Sequence, residues 1–383
     1  MGGIQFEELP RSEWYAARTL TSYCFGDTGA FVDWVFDRRA DHVYALVESD
    51  TLLAQVIDTR VRLRARGKAV EGRIISHVAT DPARRGQGLM ASLLPNAMSR
   101  EREEGAALAA LYPFEYAYYE KYGWAACGEA ARLTLPLGIL RSREPSIPVR
   151  WSPVRNADAS GLAICYNEAY ADVAGSVVRT AELTAARLKE LELDSAAAVW
   201  VMPDDAERMR GYMLYRFEGR AIVVEEFAAV DIAARRTLLS YLAAHSSTHD
   251  EVRLTVSADD PVRRLVPDRR GCVSLEPWAM FRILDVPRLS EGMRASEGYD
   301  GSISLCVVDN ELPWNNGCWR FSAVDGLLHA ERAYAKDAPE ISINTLTRLI
   351  LGGPDEAWAL PPAAAEEAAM LFPQQKIWMS EQY

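Results

Sequence analysis

The chain has 383 residues and a formal net charge of −12, too long for one ordinary core, so two or three domains are expected. Its 49% hydrophobic and 25% charged content suits a globular protein, and no apolar run reaches membrane-spanning length. The acidity argues against a nucleic-acid binder and suits a cationic partner, although acidity that only aids solubility reads the same way.

The start "MGGIQFEELPRSEW" is acidic and reads as no signal peptide. The six cysteines (Cys24, Cys127, Cys165, Cys272, Cys306, Cys318) are scattered without a CxxC pair and read as reduced cytoplasmic thiols, not a disulfide frame or zinc site. The five histidines show no metal-ligand spacing, and no metal is expected.

In chain order, "SEWYAARTLTSYCFGD" and "AFVDWVFDRR" pattern as helices. "HVYALVES", "TLLAQVIDTRVRLRA" and "GRIISHVAT" pattern as strands. An Arg/Gly turn follows, then a helix to about Glu104 and a strand "AALAALYP". The short helix "FEYAYYEKYGW" ends at Gly123, a good C-cap residue. "ARLTLPL" reads as a closing strand, and "SREPSIPV", with two prolines, as a linker.

A second piece repeats the plan, with helices in "GLAICYNEAYADVAG" and "AELTAARLKELEL" and strands "AAAVWVMP", "RGYMLYRFEG" and "RAIVVEEFAAV". Its "DIAARRTLLSYLAAH" aligns with "DPARRGQGLMASLLP", Asp231 on Asp81, so the domain looks duplicated. Arg236 and Leu238 then stand where the first copy has Gly86 and Gly88. "VRLTVSA" and "PWAMFRIL" complete the copy. A third piece starts near "VPRLSEGM", with hairpin strands "GSISLCVVD", "CWRFSAVDG" and "LLHAERAYA" and two helices. The expected domains are 1–138, 139–286 and 287–383.

The stretch "ARRGQGLMASLLPNAMSRE" carries chemistry. A helix N-terminus has unpaired N–H groups and a partial positive charge, and it binds phosphate where the backbone can come close. Gly86 and Gly88 remove the side chains that would block that approach, and Arg84 and Arg85 add charge. The turn therefore suits a pyrophosphate; an exposed Arg/Gly helix start would carry the same pattern. It lacks the GxGxxG of a dinucleotide site and the GK[ST] of a Walker loop.

Arg85 and Gly88 resemble the R-x-x-G-x-G/A motif of GCN5-related N-acetyltransferases (GNATs), with Met90 at the final small position. That substitution is similar to the enhanced intracellular survival (Eis) family, which combines an active GNAT domain, a degenerate one and a sterol-carrier-protein-like domain. The resemblance implies an α/β (α+β) fold of that architecture, acetyl-CoA as co-substrate, transfer to a primary amine, and a homohexamer.

The resemblance also implies roles for particular residues. Val78, Ala79 and Thr80 would pair with the pantetheine arm, and Gly86, Gln87, Gly88, Leu89, Met90 and Ala91 would hold the pyrophosphate. Phe114 and Glu115 match a further CoA-contacting pair. Tyr119, four residues before Gly123, matches the tyrosine that protonates the departing thiolate; a phenol of pKa ~10 is protonated at neutral pH. Tyr112, Tyr116, Tyr118 and Tyr122 read as packing. No side chain announces itself as the base, and a strand histidine such as His77 reads as structural. In Eis proteins the terminal carboxylate takes the proton, which here is that of Tyr383.

Trp14, Phe25, Asp27 and Trp34, with Glu381 from the tail, are expected to line the acceptor cleft. Aromatic walls with carboxylates suit a polyamine, an aminoglycoside or a lysine-like amine. Trp14 and Trp34 fit a core position equally well. The alternative function is a lipid- or ligand-binding scaffold with a vestigial acyltransferase domain.

Overall fold

The computed structural model describes residues 3–27, 29–140, 147–194, 196–202, 208–265, 269–353, 355, 357 and 359–381. The chain divides into two compact units, one of residues 1–127, 172–177 and 278–383, the other of residues 128–171 and 178–277. Among the described residues no helix is long and apolar enough to cross a membrane.

The first unit opens with β1 (Gln5–Glu8), α1 (Trp14–Phe25), α2 (Gly29–Arg38), β2 (His42–Glu48), β3 (Thr51–Ala65) and β4 (Lys68–Thr80). It continues with α3 (Leu89–Glu103), β5 (Leu108–Leu111), α4 (Tyr116–Glu120) and β6 (Ala125–Ala126). Alternation along β2 sends Val43 and Ala45 to the face covered by α1 and α2, and Tyr44 and Leu46 to the face covered by α3. In α3 the buried residues Leu89, Met90, Leu93, Leu94, Ala97 and Met98 form one stripe. Each buried leucine contributes roughly 1.5–3 kcal/mol.

The sheets do not follow chain order. The strand Met280–Ile283 lies between β5 and β6 in the first sheet, in register Phe281 with Ala110 and with Ala125. Conversely, Glu129–Pro136 sits in the second sheet between Glu251–Ser257 and Cys272–Pro277. The two duplicated pieces have exchanged their late strands, so the expected boundaries at 138 and 286 each separate strands of one sheet. "ARLTLPL" closes the second sheet and "PWAMFRIL" completes the first.

The second unit has helices Ala159–Ala169, Ala181–Glu192 and Ile232–Ala243 on its sheet. Its third helix starts immediately after Asp231, whose carboxylate accepts from the Ala234 amide at 2.7 Å. The first copy needs seven residues between Asp81 and α3. Arg236 and Leu238 therefore lie inside a helix, with Leu238 fully buried. The copy lacks the loop itself, beyond the loss of its glycines.

The C-terminal part of the first unit carries strands Ser302–Val308, Gly317–Val324, Leu327–Arg332 and Glu340–Ser342. Asp325 and Gly326, both at positive φ, make the two-residue hairpin turn. Helices Ile343–Leu351 and Pro362–Leu371 accompany this sheet. Cys306 and Cys318, expected as free thiols, are disulfide-bonded. The hairpin sets them directly opposite each other on neighbouring strands, which their sequence separation does not reveal. Arg66, in the β3–β4 turn, donates to the carbonyls of Leu349, Ile350 and Pro373 and so caps the end of Ile343–Leu351. Burial lowers its guanidinium pKa to about 9.

Candidate active site

β4 pairs with β5 only from Gly72 to Ile74, opposite Leu108 to Ala110. Beyond Ile74 the two parallel strands part. On the other edge of β4, Gln55 pairs with Ala79 and Ile57 with Ser76, so His77 and Val78 bulge opposite Val56. His77 adopts φ +46°, a left-handed conformation rare outside glycine. The bulge bends β4 away from β5 and opens a cavity of about 320 Å³ between them.

The cavity is walled by Phe25, Phe31, Tyr112, Phe114 and Tyr119, and carries Asp27 and His77. Tyr119 is buried, its ring 5.5 Å from Phe114 and 5.2 Å from Tyr118. Burial, then Tyr118, raises its phenol above the ordinary value, so it stays protonated at neutral pH. The spacing to Gly123 has a structural cause: Gly123 is at φ +83°, and a Cβ there would lie 2.7 Å from the Arg282 guanidinium carbon. Arg282 donates to the Tyr122 carbonyl and to Asp309 and holds the turn after α4.

Asp27 follows the left-handed Gly26 that ends α1. Burial raises its pKa. His77 is buried against Phe25 at 5.2 Å, and burial lowers its pKa to about 4, leaving it neutral at pH 7. Its Nδ1 lies 3.1 Å from Ser76 Oγ.

Toward the C-terminal end of β4, Gly86 and Gly88 sit at φ +78° and +75°, with open space where a Cβ would be. Gly88 is the N-cap of α3 and no side chain caps that helix. The side chains of Leu89 and Met90 are in the core, so only their backbone faces the loop, whereas Ala91 is exposed. Arg84 is engaged by Glu48 at 3.1 Å and by Gln87 at 3.0 Å, so it orders the loop. Arg85 is exposed and reaches the Thr80 carbonyl only at 3.4 Å. Val78, Ala79 and Thr80 end β4 above the cavity. Phe114 is 71% exposed, at the cavity rim, and Glu115 is exposed at the start of α4.

Three expected cleft residues are elsewhere. Trp14 and Trp34 are buried in the core under α1 and α2, where the Trp14 indole donates to the Leu9 carbonyl and Trp34 stacks on Phe31. Their apolar area is better satisfied among Val32, Phe36 and Val43 than at a cavity wall. Glu381 is also buried, 3.7 Å from Arg39, and does not line the cavity. Tyr383 lies outside the described residues.

The tail that leads there is firmly held. The Tyr112 hydroxyl and the Trp278 indole both donate to the Met379 carbonyl at 2.7 Å, and Trp278 stacks on Trp378. Ala174 and Ile377 form an isolated β-bridge. Tyr112, read from sequence as packing, thus joins the cavity wall to the tail. Phe31 was not singled out either; its position beside Asp27 in a helix start was the available signal. Among the described residues, no group of three or more His, Cys, Asp or Glu could hold a metal.

Residues 5–127 and 175–283 each match a family described as an acetyltransferase (GNAT) domain, and residues 286–380 match a sterol carrier protein domain. The chain thus carries two GNAT domains followed by a sterol-carrier-protein-like domain. An uncharacterized N-acetyltransferase of Streptomyces griseus is 26% identical over 266 residues, covering 64% of this chain and 64% of that protein, just under two thirds of its length. A solved GCN5-related N-acetyltransferase from Kribbella flavida matches with a TM-score of 0.84 at 23% identity, over 100% of this chain and 99% of its own. Eis1 from Mycobacterium abscessus matches with a TM-score of 0.79 at 20% identity, over 99% of this chain and 100% of its own. At these identities the likeness to the solved structures is one of fold.

Proposed function

We propose that this chain is an acetyl-CoA-dependent N-acetyltransferase whose first domain acetylates a primary amine by direct attack in a ternary complex. The observation that carries this reading is the slot where β4 and β5 part. An uncapped helix N-terminus stands near one end of it, and Tyr119 and Asp27 near the other.

Acetyl-CoA, when bound, supplies the activated thioester. Val78, Ala79 and Thr80 offer the backbone edge freed where β4 leaves β5, and an extended amide-bearing arm can pair with it as a strand would. Gly86, Gln87 and Gly88, with the first amides of α3 at Leu89, Met90 and Ala91, hold the pyrophosphate. Arg85 adds charge, and Arg84 keeps the loop in shape through Glu48 and Gln87. Phe114 and Glu115 flank the same route.

Asp27 draws the ammonium group into the cavity. As the amine nitrogen forms the new C–N bond and the C–S bond breaks, Tyr119 gives its hydroxyl proton to the departing sulfur. In our reading one ammonium proton passes to the carboxylate of Tyr383 before attack, which frees the nitrogen lone pair, and the second, released as the amide forms, returns through water to the Tyr119 phenolate. The anchorage of the tail as far as Met379 and Glu381 supports that role. His77 is disfavoured as the base, because the burial that lowers its pKa to about 4 penalises the imidazolium it would become. The homohexamer implied by the family resemblance belongs to the same proposal and is tested by light scattering.

Release of free CoA thiol from acetyl-CoA in the presence of primary amines tests the reading. Thiol release that depends on the amine supports it. A protein that binds acetyl-CoA, seen as a rise in melting temperature, yet releases no thiol with any amine would be a binding protein instead.

A further inference from the structure

We propose that the acceptor is a small primary amine carrying one positive charge on an apolar, aromatic body, and not a polyamine or an aminoglycoside. This rests on the acetyl-transfer reading above and narrows the acceptor of that same site.

Three observations combine. The first is size: about 320 Å³ is at the small end for a ligand site. Part of that volume runs along Val78 and Tyr119, which the mechanism assigns to the thioester end.

The second is the lining. Besides Val78 and Tyr119, the lining includes Phe25, Phe31, Tyr112 and Leu111. Rings there offer stacking and edge contacts to a planar apolar body, each worth more than its area alone. They offer few hydrogen-bond partners to the hydroxyl-rich rings of an amino sugar, whose polar groups would be buried unpaired.

The third is charge. Among the described lining residues Asp27 is the single carboxylate. His77 is neutral and neither attracts nor repels a cation. Of the acids nearby, Glu48 is engaged by Arg84 and Glu381 by Arg39, Glu115 is exposed outside the cavity lining, and the Tyr383 carboxylate of the proposed mechanism is used by the reacting amine's own proton. One ammonium therefore finds a counter-charge. A second buried ammonium would face apolar wall, which is strongly unfavourable. Held outside the mouth instead, it would gain nothing from the rings. Burial also raises Asp27, so an incoming cation recovers free energy there that it would not recover at an exposed acid.

The test uses the full chain and three probe amines in the thiol-release assay: 2-phenylethylamine, spermidine and neamine. We expect kcat/KM for 2-phenylethylamine to exceed that of each other probe by about tenfold or more. Asp27→Asn should lower that value by roughly 10- to 100-fold, mainly through KM, because it removes a charge-assisted contact. Acetyl-CoA affinity should stay unchanged. Spermidine or neamine turned over as efficiently as 2-phenylethylamine overturns the acceptor class while leaving acetyl transfer intact. Equal kcat/KM in wild type and Asp27→Asn also overturns it. No thiol release with any of the three, from a chain that binds acetyl-CoA, overturns the acetyl-transfer reading itself.

Discussion

Helices Leu89–Glu103 and Ile232–Ala243 each follow the bulged strand of a GNAT domain, and they begin in opposite ways. The first starts at Gly88, after a seven-residue loop with two left-handed glycines and no side-chain cap. The second starts directly at Asp231, whose own carboxylate occupies the helix N-terminus. A carboxylate there satisfies amides and dipole that a bound phosphate would otherwise satisfy. The slots differ in the same sense. Glu251–Ser257 pairs with its parallel neighbour only from Ala221 to Val224, so the copy also parts its strands. There, however, the Tyr170 hydroxyl donates to the Phe227 carbonyl and Arg235 lies over the Phe227 ring. The short helix after the fifth strand carries Tyr119 in the first domain and Leu265 at the same helical position in the copy. One fold can thus carry a site or close it, according to whether helix cap and slot are left open or filled from within.

The largest expected effect breaks the comparison at the proposed acid. Tyr119→Phe removes one oxygen and makes the first domain like the copy in that respect. General acid catalysis is worth ~10²–10⁴-fold, so kcat should fall by that factor with acetyl-CoA affinity little changed. Near-wild-type kcat, measured where chemistry limits the rate, would pass the role to water or to Tyr118.

Next comes the helix cap. Gly88→Asp transplants the built-in anion of Asp231 onto α3. A Cβ at Gly88 meets nothing within 4 Å, and aspartate tolerates positive φ better than most residues, so the fold should survive. Repulsion at the pyrophosphate should weaken CoA binding by roughly 10- to 100-fold in calorimetry. The same titration of wild type should give one CoA per chain. Two sites, or an unchanged dissociation constant in the variant, would undo the contrast between the two helix starts.

Much of this contrast was legible from residues alone, because local signals wrote it. Gly86 and Gly88 mark positive φ, Gly123 marks the turn after Tyr119, and Asp81 aligned with Asp231 marks the duplication. What was not legible is non-local. Glu129–Pro136 and Met280–Ile283 are both apolar strands, and nothing in their composition says which sheet each joins. Tryptophans at 14 and 34 satisfy a core and a cleft wall equally until their partners are known. Cys306 and Cys318 look scattered until a hairpin sets them opposite each other. The bulge at His77, which opens the slot, leaves no trace in a run of β-formers.

The buried acids sharpen the comparison further. In the copy one carboxylate serves one guanidinium: Glu226 takes a bidentate contact from Arg179 at 2.6 and 2.7 Å. In the first domain Asp58 and Glu101 share Arg73, and all three are buried. Burial, then the Glu101 charge, holds Asp58 well above its usual pKa, with Arg73 opposing. The folded state therefore keeps a proton that the unfolded state releases above about pH 4. The sign follows: stability is greatest below the unfolded pKa and is lost as pH rises toward the folded one, by at most about 1.4 kcal/mol per pH unit. Asp58→Asn removes that loss. Its melting temperature should gain on wild type by a few degrees as pH is raised from 4.5. A gap that stays constant with pH would mean that Asp58 is ionised in the fold.

The smallest effect tests whether the copy's slot is closed for structure alone. The Tyr170 hydroxyl reaches the Phe227 carbonyl at 3.0 Å, beyond the last paired residue of the parting strands. A carbonyl there no longer has a neighbouring strand on that side, and the tyrosine supplies the missing donor. Tyr170→Phe keeps the ring, and with it the packing on Tyr166 at 4.7 Å. It removes the donor and should cost about 0.5–1.5 kcal/mol, a fall of only a few degrees in the melting transition. Since the copy holds no CoA in our reading, kcat, KM and the stoichiometry of one CoA per chain should stay at wild-type values. A drop in kcat without loss of stability would show that the second domain takes part in turnover. A second CoA site in the variant would show that Tyr170 was what kept the slot shut.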